Sequence, residues 1–469
     1  MSLRRSFLMG LLLAPIIGLS GCINLAPDYQ RPDAPVAEDW HSGTPVAGEA
    51  DAAVGWKSFF LDDRLKQLQA LALTNNRDMR IAILNIDKAR AQYRIQRAAE
   101  FPSITAEGSG TSTRTPGSLS TTGQSTTSHQ YSADIGLSSY ELDFFSKAKN
   151  LKGEALEDYL SLTETRRSTQ ISLVAEVATA WLTLAADNQR LKLADETLRS
   201  QQETYDLTKR SHDLGGSSGL SLAQAQTTVN SAQGDSAQYR SQILQDINAL
   251  RLLVGAEVPA NLLPDDSLQN VAVLVQIPAA LPSSVLENRP DVLSAEHTLK
   301  AANMDIGVAR AAFFPSISLT ASAGSASSDL SSLFKAGSGA WTFAPSISVP
   351  IFNAGSNRAT LDQAKAENEI QVQTYQQTLQ TAFREVADAL AVRSTLAERL
   401  KAQQDLTDAS AVSYQLADAL YRAGSQSFLE ALDSQRSLYS AQQDLITLQL
   451  TEQSNRITLY KVLGGGWKE

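Results

Sequence analysis

Residues with the chemistry for catalysis or metal binding are few and widely separated in this sequence. Cys22 is the only cysteine among 469 residues, so it has no disulfide partner within the chain. The four histidines show no HExxH-like spacing that would bring two imidazoles to one metal ion: His41, His129, His212 and His297. Neither a GxGxxG segment nor a Walker loop occurs. We therefore expect no enzyme, no metal site and no bound cofactor, and any energy input must come from a partner protein.

Cys22 follows a segment with the composition of a secretory signal. Two arginines and an apolar stretch from Phe7 to Leu19 precede it, with small residues immediately before the cysteine. This arrangement resembles a bacterial lipobox, in which the thiol is acylated and the cysteine becomes the new N-terminus. A buried free cysteine is the alternative. Lipoproteins kept at the inner membrane usually carry aspartate where this chain has Ile23, which favours the outer membrane. We predict a signal peptide at 1–21 and a lipidated N-terminal segment at 22–61.

The overall composition excludes one broad class of partner and one kind of membrane segment. The formal net charge is −10, and removal of residues 1–21, which hold two arginines and no acid, makes it −12. A surface of that charge argues against nucleic-acid binding. Beyond the N-terminus we find no run of ~18 apolar residues, so we expect no membrane-spanning helix. If the protein crosses a membrane, it must do so with β-strands.

The two halves of the chain resemble each other. The segment RAAEFPSI at 97–104 recurs as RAAFFPSI at 310–317, an offset of 213 residues that later settles at 209. Further matched pairs are Arg77 with Arg289, Glu176 with Glu385, Gly215 with Gly424, and Gly255 with Gly464. A period this long indicates a two-fold repeat of a whole structural unit and not a solenoid. The predicted organisation is a first repeat at 62–255, a linker or equatorial segment at 256–284, and a second repeat at 285–469.

Most of each half has the pattern of long helices. Apolar residues recur at helical spacing from Leu65 to Glu100 and from Val285 to Ala312. Longer helical tracts follow, each ending at a glycine-containing turn before a further helix: Leu151 to Leu214, and Asn357 to Ala423. A helix of about 60 residues would reach ~90 Å, which exceeds an ordinary globular core. Such long periodic helices indicate coiled-coil packing.

Each half also contains two segments with the pattern of β-strands, which we predict to form hairpins at about 101–143 and 314–352. Phe101-Pro102 and Phe314-Pro315 mark the change, because the residue before proline is disfavoured in a helix. Serine- and threonine-rich stretches at 109–128 and 325–339 are predicted to be loops. Candidate interfacial aromatics are Tyr131, Tyr140, Trp341 and Phe343. Segments of ~10 residues suit transmembrane strands, although soluble hairpins remain the alternative.

Four strands in one chain are too few to close a barrel in a membrane. Open sheet edges are not tolerated in lipid, and the smallest known barrels have about 8 strands. Two chains would reach that number with an interior filled by side chains, whereas three chains would leave room for a pore. Only the three-chain arrangement gives a conduit.

Several segments together resemble the TolC-like outer-membrane factor family, in particular its lipidated multidrug-efflux branch. They are Cys22 with APDYQRP at 26–32, the doubled FPSI segments, PIFNAG at 350–355, YRAG at 421–424 and LEALDSQ at 429–435. The resemblance implies a mixed α and β fold. It implies a homotrimer with a twelve-stranded transmembrane β-barrel continuous with a twelve-helix periplasmic α-barrel. It also implies docking to a periplasmic adaptor and an inner-membrane pump.

The family closes its periplasmic end near the turn between the last two helices, with an acidic residue at the constriction. The matching stretch here places Glu430 and Asp433 on one face of a helix, so three copies would form two carboxylate rings that favour cations. Ser427 and Glu430 also fit a capping box, which is the alternative role for Glu430. At the equivalent positions of the first half stand Ser221 and Gln224, which carry no charge.

Other residues near this turn carry further expectations from the resemblance. Tyr421 matches a family tyrosine that bonds across neighbouring helices in the closed state, although ordinary packing would also explain it. Gln426 stands where the family has a gating arginine, so Arg422 is the candidate gate partner. The turns at Gly215 and Gly424 are expected to contact the adaptor, or simply to supply the backbone freedom of a helix reversal.

The function we predict is an exit duct for small molecules such as drugs, placed in the outer membrane and anchored by lipid. Two alternatives remain open from the sequence. One is a duct of the same kind for secreted proteins. The other is a structural coiled-coil lipoprotein without a pore.

Overall fold

The computed structural model of the chain describes residues 23–37, 55–121, 123–268, 271–273 and 283–465. Cys22 and the signal segment lie outside the described residues, as do parts of the predicted N-terminal segment and linker. Within the described ranges the chain forms eight α-helices and four β-strands. The helices are α1 Trp56–Phe59, α2 Asp63–Asn75, α3 Arg77–Ala98, α4 Lys147–Asp213, α5 Gly219–Val254, α6 Pro290–Ala311, α7 Ser356–Arg422 and α8 Phe428–Val462. The strands are β1 Ile104–Thr115, β2 Thr126–Glu141, β3 Ser316–Ser327 and β4 Gly339–Ser348.

The first hairpin is longer than the sequence pattern predicted. We expected a loop at 109–128, but β1 continues to Thr115 and β2 begins at Thr126. Serine, threonine and glycine favour loops when they cluster, which is why the interpretation was wrong. Threonine is β-branched, however, and it is as suitable for a strand whose side chains face water.

The four strands form one antiparallel sheet in the order β1-β2-β3-β4. The register fixes its two faces: Glu107 lies opposite Asp134, which lies opposite Gly324. That face carries mainly serine, threonine, glycine and these two acids. The other face carries the apolar residues, including Ile104, Ile135, Leu137, Ile317, Leu319, Trp341, Phe343 and Ile347. Several of these are more than half exposed, so the chain has an apolar sheet face that its own described residues leave uncovered.

All four connections between the sheet and the helices lie at one end of the sheet, because the strands are antiparallel and consecutive. Two of the strand-to-helix connections need left-handed backbone, at Ser146 (φ 57°) before α4 and at Ala354 (φ 52°) before α7. The hairpin turns lie at the opposite end. We call the helix-connected end the sheet base.

The chain divides into two compact units. The first comprises the sheet and its adjoining helix ends, from 1–29, 92–156 and 300–368. The second comprises the remaining helical parts, from 30–91, 157–299 and 369–469. In the second unit Arg31 pairs with Glu287 at 2.6 Å and with the buried Glu296 at 2.7 Å, which fixes the N-terminal segment at that point.

A large hydrophobic core stabilises the second unit. It buries Trp181 of α4 with Phe59, Phe60, Leu65, Leu68, Leu182, Leu250 and Tyr460. The rings of Phe59 and Tyr460 are stacked with centroids 3.8 Å apart, and the Trp181 indole donates to the Leu262 carbonyl at 3.0 Å. Each fully buried side chain of this size contributes roughly 1.5–3 kcal/mol.

One stretch of α4 departs from our expectation that no helix is apolar enough to span a membrane. An 18-residue window of α4 has a mean hydropathy of 1.2, and 67% of it is buried inside the protein. The apolar residues of α4 between Leu173 and Ala186 belong to the core of the second unit. Their hydropathy is that of a core helix, which passes the same test.

The predicted equatorial strand is described only in part. Phe60 and Ala272 form an antiparallel bridge, in which Leu61 donates to the Val271 carbonyl and Val273 donates to the Phe59 carbonyl, both at 2.9 Å. The segment after α1 therefore pairs with the segment between α5 and α6.

Candidate functional site

The two long helices end in turns of the same geometry. After α4, Gly215 donates to the His212 carbonyl and Gly216 to the Ser211 carbonyl. After α7, Gly424 donates to the Tyr421 carbonyl and Ser425 to the Leu420 carbonyl. Each is a Schellman ending, which requires a left-handed residue, and φ is +80° at Gly215 and +72° at Gly424. A Cβ at either glycine would meet nothing within 4 Å, so backbone conformation and not space requires glycine there.

The helices that leave these turns begin differently. Ser218 caps α5 by accepting a hydrogen bond from the Ser221 amide at 3.0 Å. Ser427 occupies the same position before α8, but its hydroxyl donates to the Glu430 carboxylate at 3.3 Å and caps no backbone amide. The reciprocal capping box expected from the sequence is therefore not formed, because the hydroxyl is engaged by the carboxylate.

Glu430 and Asp433 lie in the first turns of α8, and both are exposed. Among the described residues neither forms an ion pair with a basic side chain. Acidic side chains near a helix N-terminus are favoured by the helix dipole. The carboxylates are thus hydrated and available to interact with ions or with other chains.

Tyr421 joins α7 to α4. Its hydroxyl lies 3.0 Å from Oγ1 of Thr208, which is fully buried. Thr208 already donates its only hydroxyl proton to the Thr204 carbonyl at 2.8 Å, so Tyr421 is the donor of the shared bond. The Tyr421 ring also contacts Phe428 at the start of α8, with centroids 5.5 Å apart. One side chain therefore contacts three helices next to the turn.

Arg422 is not close to either of these acids within the chain. Its Nε donates to Asp418 at 2.7 Å on the same helix, and the pair is largely exposed. Exposed pairs of this spacing contribute about 0.3–0.5 kcal/mol. Gln426 has a buried Oε1 that accepts no hydrogen bond among the described residues.

A second set of polar contacts, which the sequence analysis missed, lies further from the turn. Gln201 of α4 donates to Gln435 of α8 at 2.6 Å, and both side chains are buried. Gln435 in turn donates to Ser200 at 3.3 Å, whose hydroxyl lies 3.3 Å from that of Tyr414. The available signal was spacing: Tyr414 precedes Tyr421 by seven residues, as Gln201 precedes Thr208, which places each pair along one side of its helix.

Tyr439 of α8 contacts α5 in the same region. Its hydroxyl donates to Asp235 at 3.2 Å. Burial, followed by the neighbouring negative charge of Asp235, raises the pKa of Tyr439 well above its usual range. The phenol therefore remains a neutral hydrogen-bond donor at every physiological pH.

Two buried carboxyl groups lie further along the same helices. Burial, together with the nearby Asp187, raises the pKa of Asp246 to about 6, while Gln242 donates to it at 3.3 Å. Asp187 is paired with Arg190 at 2.6 Å, and Arg190 also donates to Thr447 of α8 at 2.9 Å. The packing of α4, α5 and α8 here includes a carboxyl group that titrates near neutrality.

No group of three or more histidine, cysteine and acidic side chains suited to a metal ion occurs within the part of the chain that the structure describes. The predicted lipidation site cannot be placed, because Cys22 lies outside the described residues. The adjacent Ile23 is described, and its amide donates to the Phe144 carbonyl at the sheet base at 3.1 Å.

Comparison with known proteins gives concordant results. Residues 68–256 and 281–465 match the family described as "Outer membrane efflux protein". A probable efflux pump outer membrane protein of Pseudomonas putida, TtgC, is 50% identical over 456 residues, which are 96% of this chain and 94% of that protein. The cation efflux system protein CusC of Escherichia coli is 43% identical over 459 residues, 97% of each chain.

Solved structures agree with these relatives in fold. The crystal structure of a membrane protein from Pseudomonas aeruginosa superposes with a TM-score of 0.89 at 40% identity, covering 95% of this chain and 98% of that one. The open state of the MtrE outer membrane channel of Neisseria gonorrhoeae superposes with a TM-score of 0.86 at 36% identity, covering 95% and 99%. The resemblance drawn from sequence motifs is confirmed, and so is efflux through the outer membrane as the function. With its family match across most of the chain and relatives aligned along nearly all of it, the chain belongs to the outer membrane efflux protein family, whose members are transport channels and not enzymes.

Proposed function

We propose that three copies of this chain form the exit duct of a tripartite efflux system. The observation that carries the proposal is the four-stranded sheet with one exposed apolar face and two unpaired outer strands, β1 and β4. In lipid such edges must be paired, since no water can satisfy their amide and carbonyl groups. Three sheets joined edge to edge close the barrel, with the apolar face towards lipid and the serine- and threonine-rich face lining a pore.

The helices continue the duct into the periplasm as a barrel of twelve helices. The supporting observation is the likeness of the two halves, in which α4 and α7 each have 67 residues and end in the same type of turn. Two similar halves in each of three chains would produce a tube with pseudo-sixfold symmetry. The turns at Gly215 and Gly424 form the end that meets a periplasmic adaptor, and an inner-membrane pump supplies the energy.

The gate lies at these turns. In the closed state, the bond from Tyr421 to Thr208 holds α7 against α4, and Arg422 is available to neighbouring chains at its exposed position. Glu430 and Asp433, exposed and without ion pairs among the described residues, form two carboxylate rings when three copies assemble. Opening requires the helix ends to separate, which breaks the tyrosine bond.

The anchor and the cargo complete the proposal. Cys22 carries lipid and holds the duct in the outer membrane, together with the sheet. The cargo is a class of small molecules: similar proteins are named as antibiotic, toluene and cation efflux components. These names favour small molecules over secreted proteins, and the sheet with its apolar face disfavours a coiled-coil lipoprotein without a pore.

Electron microscopy and conductance of the purified mature protein test the duct. We expect threefold particles and cation-selective channels in planar bilayers, with the Asp433→Asn variant losing part of that selectivity. Asp408→Asn, an exposed acid of α7 away from the turn, is the matched control and should conduct as the native protein does. Particles without threefold symmetry would refute the trimer, whereas equal selectivity of Asp433→Asn and the native protein would remove only the gate assignment.

A further inference from the structure

The residues that follow Cys22 are held tightly against α6 in the sheet-containing unit. Arg310 donates to the Leu25 carbonyl and Asn303 to the Pro27 carbonyl, both at 2.8 Å. Gly307 permits this approach, because a Cβ there would lie 2.7 Å from the Ala26 amide nitrogen. With Ile23 also bound to the Phe144 carbonyl, the segment has a fixed course that ends at the sheet base.

A groove of about 250 Å³ opens at this point. We call it the phenylalanine groove; its apolar lining comprises Leu142, Phe144, Phe145, Phe314, Pro315 and Pro350. The rings of Phe145 and Phe314 are stacked with centroids 4.6 Å apart, which gives the groove a rigid aromatic wall. The residue whose carbonyl binds Ile23 is therefore also a wall of the groove.

The groove is apolar along its walls but not throughout. Lys147 lines it and lies 3.6 Å from Glu141, which also lines it. Ser316 and Ser348 add hydroxyl groups. Aromatic walls with a cation and hydroxyls beside them suit an amphiphile that has a hydrocarbon chain and ester or amide carbonyls.

We propose that the phenylalanine groove binds an acyl chain of the lipid carried by Cys22. This inference rests on the proposed lipidation. Adjacent Cα atoms are about 3.8 Å apart, so the hydrogen bond of Ile23 brings the modified residue to the wall of the groove. Burial of methylene groups against Phe144 and Phe314 stabilises the bound chain, and Lys147 donates to a carbonyl of the lipid.

The consequence is an anchor that is part of the folded protein. A lipid on a free tether would insert anywhere within reach of the segment. A chain bound at the sheet base instead fixes the attachment point beside the strands, at the level where the proposed duct leaves the membrane for the periplasm.

Photo-crosslinking in the mature protein, purified from a Gram-negative host, tests the proposal. A p-benzoylphenylalanine replaces Phe144, and tandem mass spectrometry identifies what it captures. We expect the main product to join the peptide containing position 144 to the N-terminal lipopeptide through an acyl carbon. The same replacement at Phe352 is the control, because this residue also follows a strand at the sheet base but is 89% exposed and does not line the groove.

Capture only of free phospholipid at position 144, no capture at all, or equal capture of the lipopeptide at 144 and 352 would each overturn the proposal. A second variant, Ala312→Trp, adds bulk to the groove lining and is expected to abolish capture at 144, while its particle shape shows whether the protein still assembles. The mass of the N-terminal peptide separates the two levels of inference. An unmodified Cys22 refutes the anchor itself, whereas an acylated Cys22 without capture refutes only the groove.

Discussion

The two matched halves of the chain share backbone geometry but differ in where they place charge. At the junction before α3, Asn76 donates to the Leu253 carbonyl at the end of α5 at 2.8 Å and accepts from the Asp78 and Met79 amides. At the junction before α6, Arg289 donates to the Val462 carbonyl at the end of α8 at 2.7 Å. Asn76 and Arg289 are 213 residues apart, the offset of the longest matched segment.

The difference between these junctions is the number of charges that each buries. Asn76 is neutral and makes its hydrogen bonds without a charged partner. Arg289 is also largely buried, and its guanidinium binds Asp291 at 2.7 Å and Glu385 at 2.9 Å. The same backbone contact can therefore be made by an amide or by an ion-pair network, but only the network leaves unpaired carboxylates behind when its central residue is lost.

The largest effect is expected from Arg289→Ala. Removal of one partner from a buried ion pair costs ~3–5 kcal/mol, because the remaining charges lose their compensation. The apparent melting temperature of the purified protein should fall clearly. Arg77→Ala is the control, since Arg77 is exposed and is the residue that our sequence comparison matched with Arg289. Equal losses from both variants would contradict the pairing of Asn76 with Arg289.

A smaller loss is expected from Asn76→Ala. The variant removes a side-chain cap at the start of α3, worth ~1 kcal/mol, and one hydrogen bond to a buried carbonyl of similar value. Asn76→Asp should recover the cap but not the donated bond to Leu253, so its melting temperature should lie between those of Asn76→Ala and the native protein. An Asn76→Ala variant as unstable as Arg289→Ala would show that charge is not what separates the junctions.

The contrast is reversed at Asp246, because Asn455 stands 209 residues later and donates as a neutral amide to the Ala389 carbonyl at 2.9 Å. The pKa of Asp246 is raised to about 6, so the folded state holds its proton more tightly than the unfolded state does. Stability from this group is complete below pH ~4 and is lost as the pH rises through about 6. Asp246→Asn should remove that part of the pH dependence of the melting temperature, and an unchanged profile would contradict the assignment.

Sequence reasoning succeeded where the signals are local. Phe101-Pro102 and Phe314-Pro315 precede the strands, and Gly215 and Gly424 end the long helices, because proline and glycine act on the backbone nearby. It failed for the extent of the first hairpin, where serine and threonine suit a loop as well as a strand that faces water.

Contacts between distant helices were outside the reach of the sequence. Glutamine at 201 and 435 has the composition of a solvated coiled-coil surface, yet the two amides are buried against each other. The exchange of Arg289 for Asn76 was likewise hidden, because Arg77 stands next to the true position and attracts the alignment. Both cases depend on which helices pack together, and no local pattern contains that information.

The smallest effect, and the one closest to function, concerns the two turns. His212 stands 209 residues before Tyr421, but its Nδ1 lies 2.9 Å from the Ser217 carbonyl of its own turn, whereas Tyr421 reaches Thr208 on another helix. Tyr421→Phe removes only the hydroxyl, so the closed state should lose about 1 kcal/mol and the time spent open should rise several-fold in single-channel recordings. His212→Phe should leave that time unchanged, because the bond it removes lies within one turn and holds no helix pair together. If both variants open equally often, the gate does not depend on the contact between α7 and α4, and the charge rings of α8 become the remaining candidate.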